Sequence, residues 1–161
     1  MFWLNKGVIL VHMVVVKGWH CAYEIHYHIV FPVKYRKALI RPEIDAELVR
    51  IAGEIHDRYD IDFEQMGADR DHIHLLCSAH PKVSIGDIVR IFKSITAREL
   101  FKTFPDLKKG LWGGEFWSDG YYVATVGQRN NWDTVANYVK SQGNQAVVKL
   151  RRFPQLALPG L

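Results

Sequence analysis

The alternation of apolar and polar residues along the chain predicts four strands. Residues 22–31 alternate between the two classes, which is the period of a strand with one apolar face. Residues 61–68 and 72–79 predict a second and a third strand, and the short link between them predicts an antiparallel hairpin. A fourth strand is expected over residues 121–126, after a loop rich in glycine and tryptophan.

Three further segments carry apolar residues at helical spacing. The first begins at Pro42 and ends near Asp60, the second follows an N-cap at Ser84, and the last covers about residues 132–142. The order β-α-β-β-α-β followed by an extra helix predicts an α+β fold. More closely, it predicts a ferredoxin-like split βαβ sandwich, with helices on one face of an antiparallel sheet and a C-terminal helix carrying Tyr138.

Composition and charge are those of one soluble globular domain. The chain has 161 residues, of which 48% are hydrophobic and 24% are charged. Its formal net charge of +4 and pI near 9.1 suit a polyanionic partner without requiring one. Cys21 and Cys77 lie in apolar stretches and are expected to be reduced core residues of a cytoplasmic protein.

The chain is expected to contain one functional domain with a short segment at each end. Residues 1–18 are predicted to be an N-terminal extension, residues 19–150 the domain, and residues 151–161 a C-terminal tail. The apolar run near the start is broken by His12, is too short to cross a bilayer, and is not followed by a small-residue cleavage site. Neither a signal peptide nor a membrane partner is therefore predicted.

Two pairs of histidines have the spacing of a metal site. His72 and His74 are two residues apart in the predicted third strand, so their side chains point to the same face of the sheet. Two imidazoles on one face can bind a divalent metal ion. His26 and His28 have the same spacing in the first strand, so spacing alone does not decide between the pairs.

The last predicted helix carries a candidate nucleophile. Tyr138 lies on its polar side, and Gln142 follows one turn later on that side. A tyrosine hydroxyl can attack a phosphodiester once its proton is removed or shared, because its pKa in water is about 10. Two histidines are too few to hold a metal ion, and the amide oxygen of Gln142 would supply a third ligand close to Tyr138.

Five segments of the chain, in this order, resemble the single-tyrosine HUH transposases of small insertion sequences, the insertion sequence 200 type. They are YEIHYHIVF (residues 23–31), DHIHLL (71–76), ARELF (97–101), WGGEFWSDGYY (112–122) and YVKSQ (138–142). The term HUH stands for the order His, hydrophobic residue, His. The first 17 residues match nothing in the family pattern.

The resemblance implies a role for each matching residue. It implies that His72, His74 and Gln142 bind Mg²⁺ or Mn²⁺, and that Tyr138 attacks single-stranded DNA to leave a 5′-phosphotyrosine and a free 3′-hydroxyl. It also implies a homodimer that recognises hairpins near the ends of the element. No nucleotide cofactor is expected, because the phosphotyrosine bond conserves the energy needed for rejoining.

The DNA-binding surface is predicted from basic and aromatic side chains. Cationic groups that contact phosphates give salt-sensitive binding, and aromatic rings can stack on unpaired bases. Tyr35, Trp112 and Trp117 are the aromatic candidates. The basic candidates follow the first strand or lie on the second helix, and Arg36 is the first choice among them because a planar guanidinium suits phosphate. They are Lys34, Arg36, Lys37, Lys93 and Arg98.

Two alternative functions remain open at this point. The first is a domesticated module that binds hairpin DNA without cutting it, although all four key positions are intact. The second is a zinc metalloenzyme on a ferredoxin-like scaffold, in which both histidine pairs hold one closed site and leave Tyr138 without a role. Its four ligands would be His26, His28, His72 and His74.

Overall fold

A computed structural model of the chain describes residues 15–126, together with Asn137, Val139 and Ser141, which are helical. Apart from these three residues, the predicted last helix lies outside the described part of the chain. Val139, expected on the apolar side of that helix, is fully buried. Ser141, expected on its polar side, is exposed. The described residues thus agree with the predicted orientation of the helix.

Four strands form one antiparallel sheet in the order β4-β5-β3-β6. Their bounds are β3 (Tyr27–Pro32), β4 (Ile61–Asp69), β5 (His72–Ala79) and β6 (Tyr122–Thr125). Two further strands, β1 (Val16–Lys17) and β2 (Ala22–Tyr23), pair with each other. The predicted hairpin of the second and third strands is confirmed, whereas the predicted first strand is divided into β2 and β3.

Two helices connect the strands of the main sheet. Helix α1 (Pro42–Tyr59) starts with proline in its first turn and ends at Asp60, which adopts a left-handed conformation with φ 52°. Helix α2 (Ile85–Thr103) is capped by Ser84, whose hydroxyl accepts a hydrogen bond from the Asp87 backbone N–H at 3.0 Å. The predicted α+β class, with its antiparallel sheet and two helices, is confirmed.

Both helices pack on the same face of the sheet around an aromatic cluster. The ring of Phe92 in α2 stacks on Phe31 of β3 at a centroid distance of 5.3 Å and lies 5.7 Å from Phe63 of β4. Trp117 is buried beside them, and its indole N–H donates to the Thr96 hydroxyl at 2.8 Å. The expectation that Trp117 stacks on DNA bases is therefore wrong, because it is a core residue.

Three short 3-10 segments complete the connections: Lys34–Arg36, Pro105–Gly110 and Trp112–Gly114. The first contains two consecutive residues in the left-handed region, Tyr35 with φ 58° and Arg36 with φ 53°. Over the described residues, the structure contains no helix with the length and apolarity needed to cross a membrane.

Candidate active site

The histidines of β5 lie on the sheet face opposite α1 and α2, which we call the far face. Ile73 and Leu75, which alternate with them, are fully buried in the core. The rings of His72 and His74 are adjacent, with a centroid distance of 4.9 Å. The His72 side chain keeps 16% of its surface exposed, whereas His74 is almost completely buried. The predicted placement of both imidazoles on one face is confirmed.

His72 is oriented by the residue that precedes it. Its Nδ1 lies 2.6 Å from Oδ1 of Asp71, and the other carboxylate oxygen of Asp71 lies 2.9 Å from Nε of Arg36. Burial raises the pKa of Asp71, but the hydrogen bond with His72 and the charge of Arg36 outweigh it, and the pKa stays below its ordinary value. Asp71 is therefore an ionised carboxylate that accepts a hydrogen bond from His72 and forms an ion pair with Arg36.

His74 is oriented by a histidine of the neighbouring strand. Nε2 of His28 lies 3.0 Å from Nδ1 of His74, and the two rings stack at 5.2 Å. Burial, followed by the neighbouring His72 and His28, lowers the pKa of His74 to about 4. Burial also lowers the pKa of His28. Both imidazoles are consequently neutral at neutral pH, which is the form that binds metal ions.

The four-histidine zinc site of the second alternative is not formed. His26 is buried, and its Nδ1 lies 2.9 Å from a carboxylate oxygen of Glu64 on β4. Nε2 of His28 lies 3.0 Å from Nδ1 of His74, so these two imidazoles are hydrogen-bonded to each other. In residues 15–126, no three His, Cys, Asp or Glu side chains are grouped to hold a metal ion.

One exposed aromatic residue of the far face was missed as a site candidate. Tyr122 of β6 pairs with Val30 of β3, which pairs with His74 of β5, so these residues share a face. The ring of Tyr122 lies 6.1 Å from that of His28, and the residue is 59% exposed. The alternation of Tyr122 with Val123, which packs against the core, was the signal that could have found it.

The five predicted DNA-binding residues are in different environments. Arg36 and Arg98 expose 60% and 65% of their side chains, although each forms an ion pair. Lys34 is mostly covered and lies 2.5 Å from Glu115, and Lys37 donates to the Gly110 carbonyl. Lys93 donates to three backbone carbonyls of the loop before β6. Among the aromatic candidates, Tyr35 and Trp112 are exposed.

The two predicted functional residues of the last helix, Tyr138 and Gln142, lie outside the described residues. Their roles remain predictions. What the structure does supply is the histidine half of the candidate site, together with Asp71 and His28 as hydrogen-bond partners of the two imidazoles.

The fold and the histidine pair define an α+β protein with a histidine site on the far face of an antiparallel sheet. Residues 21–142 match the family described as "Transposase IS200 like". The chain therefore belongs to the IS200-like transposase family, and as a transposase it is an enzyme that cuts and transfers DNA. The family expected from the sequence motifs is confirmed.

Two named relatives are similar over most of their length. The ISDra2 transposase TnpA of Deinococcus radiodurans is 35% identical over 126 residues, which are 78% of this chain and 89% of the relative. The transposase for insertion sequence element IS200 of Salmonella typhimurium is 32% identical over 123 residues, 76% of this chain and 80% of the relative.

Two solved structures have a similar fold. A crystal structure of a Deinococcus radiodurans protein described as a transposase superposes with a TM-score of 0.66 at 30% identity, covering 81% of this chain and 99% of that one. A REP-associated tyrosine transposase bound to a REP hairpin superposes with a TM-score of 0.54 at 9% identity, covering 77% of this chain and 70% of that one. The second likeness concerns the fold alone.

Proposed function

We propose that this transposase cleaves and rejoins single-stranded DNA at insertion-sequence ends by attack of the Tyr138 hydroxyl on a phosphodiester. The observation that carries the proposal is the pair of adjacent imidazoles, His72 and His74, on the far face of the sheet, their ring centroids 4.9 Å apart. Membership of the IS200-like family supports it, since Tyr138 and Gln142 both fall within the matched residues.

The residues present fit a divalent metal ion. The bond between His72 Nδ1 and the Asp71 carboxylate directs the proton of the neutral ring to Nδ1, which leaves a lone pair on Nε2 for a metal ion. We propose His72, His74 and Gln142 as the ligands of Mg²⁺ or Mn²⁺. When bound, such an ion polarises a phosphate oxygen and stabilises negative charge.

The proposed reaction conserves the number of phosphoester bonds. The Tyr138 oxygen gives up its proton and forms a bond to phosphorus, and the bond from phosphorus to the 3′-oxygen breaks. The leaving 3′-oxygen takes up a proton, so the products are a 5′-phosphotyrosine and a 3′-hydroxyl. Rejoining is the same exchange in reverse, with a 3′-hydroxyl as the nucleophile, so the reaction needs no nucleotide cofactor.

Exposed cationic and aromatic side chains of the described residues support single-stranded DNA with hairpin ends as the partner. Arg36 and Arg98 can reach phosphates, while Tyr35, Trp112 and Tyr122 offer faces for base stacking. The REP hairpin bound to a protein of the same fold also supports this substrate class. We further propose a homodimer, a domain over residues 19–150 with the ferredoxin-like arrangement, and a C-terminal helix carrying the nucleophile.

The experiment that tests the proposal is the formation of a covalent adduct. The purified chain is incubated with labelled single-stranded DNA from the ends of its own genetic locus in the presence of Mn²⁺. We expect a denaturant-resistant protein–DNA adduct that is absent with EDTA, with duplex DNA, and with Tyr138→Phe. The matched control is Tyr122→Phe, because Tyr122 is an exposed tyrosine on the far face and is expected to keep adduct formation.

The binding module without cleavage is the competing outcome of the same experiment. Tight hairpin binding with no adduct under any metal condition would favour the module and contradict the proposed reaction. An adduct that persists in Tyr138→Phe would contradict the assignment of the nucleophile.

A further inference from the structure

Asp71 lies between a residue proposed to bind metal and a residue proposed to bind DNA. One of its carboxylate oxygens is 2.6 Å from His72 Nδ1, and the other is 2.9 Å from Arg36 Nε. We propose that Asp71 is a positioning residue that holds His72 with Nε2 directed to the metal ion, and that Arg36 holds Asp71 in place. This inference rests on the proposed function, because it concerns the metal site proposed there.

The direction of the hydrogen bond fixes the tautomer of His72. An ionised carboxylate can only accept a hydrogen bond. Nδ1 of His72 therefore carries a proton and donates a hydrogen bond to Asp71. In a neutral imidazole with its proton on Nδ1, the lone pair is on Nε2. Removal of a carboxylate that is hydrogen-bonded to a metal-binding histidine typically weakens metal binding about 10- to 100-fold. The hydrogen bond between Asp71 and His72 is therefore expected to increase the affinity of His72 for a metal ion.

Asp69 is the neighbouring carboxylate that could be mistaken for this partner. It pairs with His72 in the strand register, at the other side of the hairpin turn. Its Oδ1, however, accepts a hydrogen bond at 2.7 Å from the backbone N–H of Arg70, which caps the turn itself. Among residues 15–126, the carboxylate that contacts the His72 side chain is that of Asp71, so the positioning role is assigned to Asp71.

The turn that carries Arg36 is held against Asp71 by backbone bonds. The Val33 N–H donates to the Asp71 carbonyl at 2.8 Å, and the Arg36 N–H donates to the Val33 carbonyl at 2.9 Å. Tyr35 and Arg36 are both left-handed, a conformation that costs a non-glycine residue about 1–2 kcal/mol. These bonds hold the strained turn in the conformation that brings the Arg36 guanidinium to Asp71.

Equilibrium binding of Mn²⁺ in the absence of DNA tests the inference without relying on activity. Free Mn²⁺ is measured by its electron paramagnetic resonance signal during titration of the full chain. We expect Asp71→Ala to weaken Mn²⁺ binding about 10- to 100-fold, and Arg36→Gln to weaken it by a smaller factor. Because no DNA is present, loss of a phosphate contact by Arg36 cannot produce this effect.

The matched control is Asp106→Asn. Asp106 is an exposed carboxylate that lies 3.2 Å from Arg41, so this change breaks an arginine–carboxylate pair far from the histidines along the chain. It should leave Mn²⁺ binding unchanged. If Asp71→Ala does not fold, Asp71→Asn provides the test, because the asparagine side chain has nearly the same shape as that of aspartate. Its neutral amide is a weaker acceptor, so a smaller loss of affinity is expected.

A second readout is the tautomer of His72 in the metal-free protein, measured from the nitrogen-15 shifts of its ring. We expect the proton to be on Nδ1 in the parent chain and to redistribute to Nε2 in Asp71→Ala. The ring of His56 is an internal reference, because its Nδ1 lies 3.0 Å from the Ile61 carbonyl, remote from Asp71 in the sheet.

The outcomes separate this inference from the proposed function. Unchanged Mn²⁺ affinity and an unchanged His72 tautomer in Asp71→Ala, with weakened binding in His72→Ala, would overturn the positioning role and leave the metal site standing. If His72→Ala binds Mn²⁺ as well as the parent chain, the proposed metal site fails and the inference fails with it. Weaker Mn²⁺ binding in both Asp71→Ala and His72→Ala supports the proposed metal site and the positioning role of Asp71.

Discussion

At the scale of single residues, Lys93 shows why charge alone does not assign a DNA contact. Its ammonium group donates to the carbonyls of Ser118, Asp119 and Gly120 at 2.6, 3.1 and 2.9 Å. It also lies over the rings of Phe31 and Tyr121. Burial lowers the pKa of Lys93. These contacts favour a structural role, in which Lys93 fixes the loop that leads into β6.

Replacement of Lys93 by Met removes these donors while keeping the length of the side chain. We expect the free energy of unfolding to fall by about 1–2 kcal/mol, because the loop before β6 loses three hydrogen bonds from a charged donor. We also expect the salt dependence of single-stranded DNA binding to remain unchanged. Urea unfolding and binding titrations at several salt concentrations measure the two quantities.

Arg98→Met is the matched control on the same helix. Arg98 is 65% exposed, so its replacement should leave stability within about 0.5 kcal/mol. If Arg98 contacts a phosphate, the slope of log affinity against log salt should fall by about 0.7. A reduced slope in Lys93→Met with unchanged stability would contradict the structural role of Lys93.

At the scale of secondary-structure elements, local patterns predicted β4, β5 and both helices, but not the division of the first strand. The alternation in residues 24–29 continues without interruption, whereas the structure leaves residues 24–26 outside both β2 and β3. Here His26 pairs with Glu64, which lies at the register shift between Phe63 and Gln65 in β4. A contact between residues 38 positions apart cannot be predicted from periodicity in one segment.

The start of α2 offers a test of an element that the sequence did predict. The Ser84 hydroxyl accepts from the Asp87 N–H and donates to the Asp87 carboxylate at 2.8 Å. Ser84→Ala should lower the free energy of unfolding by about 1 kcal/mol, the usual cost of losing an N-cap. Ser94→Ala is the control, because the Ser94 hydroxyl donates to the Ile91 carbonyl one turn earlier, and such bonds add little to helix stability.

Urea unfolding of both serine variants beside the parent chain gives the comparison. An equal loss of stability in Ser84→Ala and Ser94→Ala would contradict the capping role, since both changes remove the same hydroxyl from the same helix.

At the scale of the whole molecule, the order of elements was enough to predict the class of fold. The short hairpin link fixes β4 beside β5, and the helices α1 and α2 both belong on the face that carries Ile29 and Phe31. The choice between the two histidine pairs depended instead on contacts between strands. His26, which precedes β3, contacts Glu64 of β4, and His28 of β3 contacts His74 of β5. Spacing along one strand carries no information about these partners.

Asp71 is a part of the site that the sequence analysis did not predict. It precedes His72 directly in the motif DHIHLL, and this adjacency was the signal that could have found it. Its second contact, with Arg36, depends on the left-handed turn that follows β3. Most residues avoid this conformation, so propensities do not predict it.

The central claim is that Tyr138 becomes covalently attached to DNA, and mapping the attachment site tests it most directly. The adduct formed with single-stranded DNA and Mn²⁺ is digested with nuclease and protease, and the modified peptide is sequenced by mass spectrometry. We predict a nucleotide joined through its 5′-phosphate to Tyr138. Attachment to another residue, such as Tyr122, or a peptide of residues 137–142 without modification in a confirmed adduct, would contradict the account.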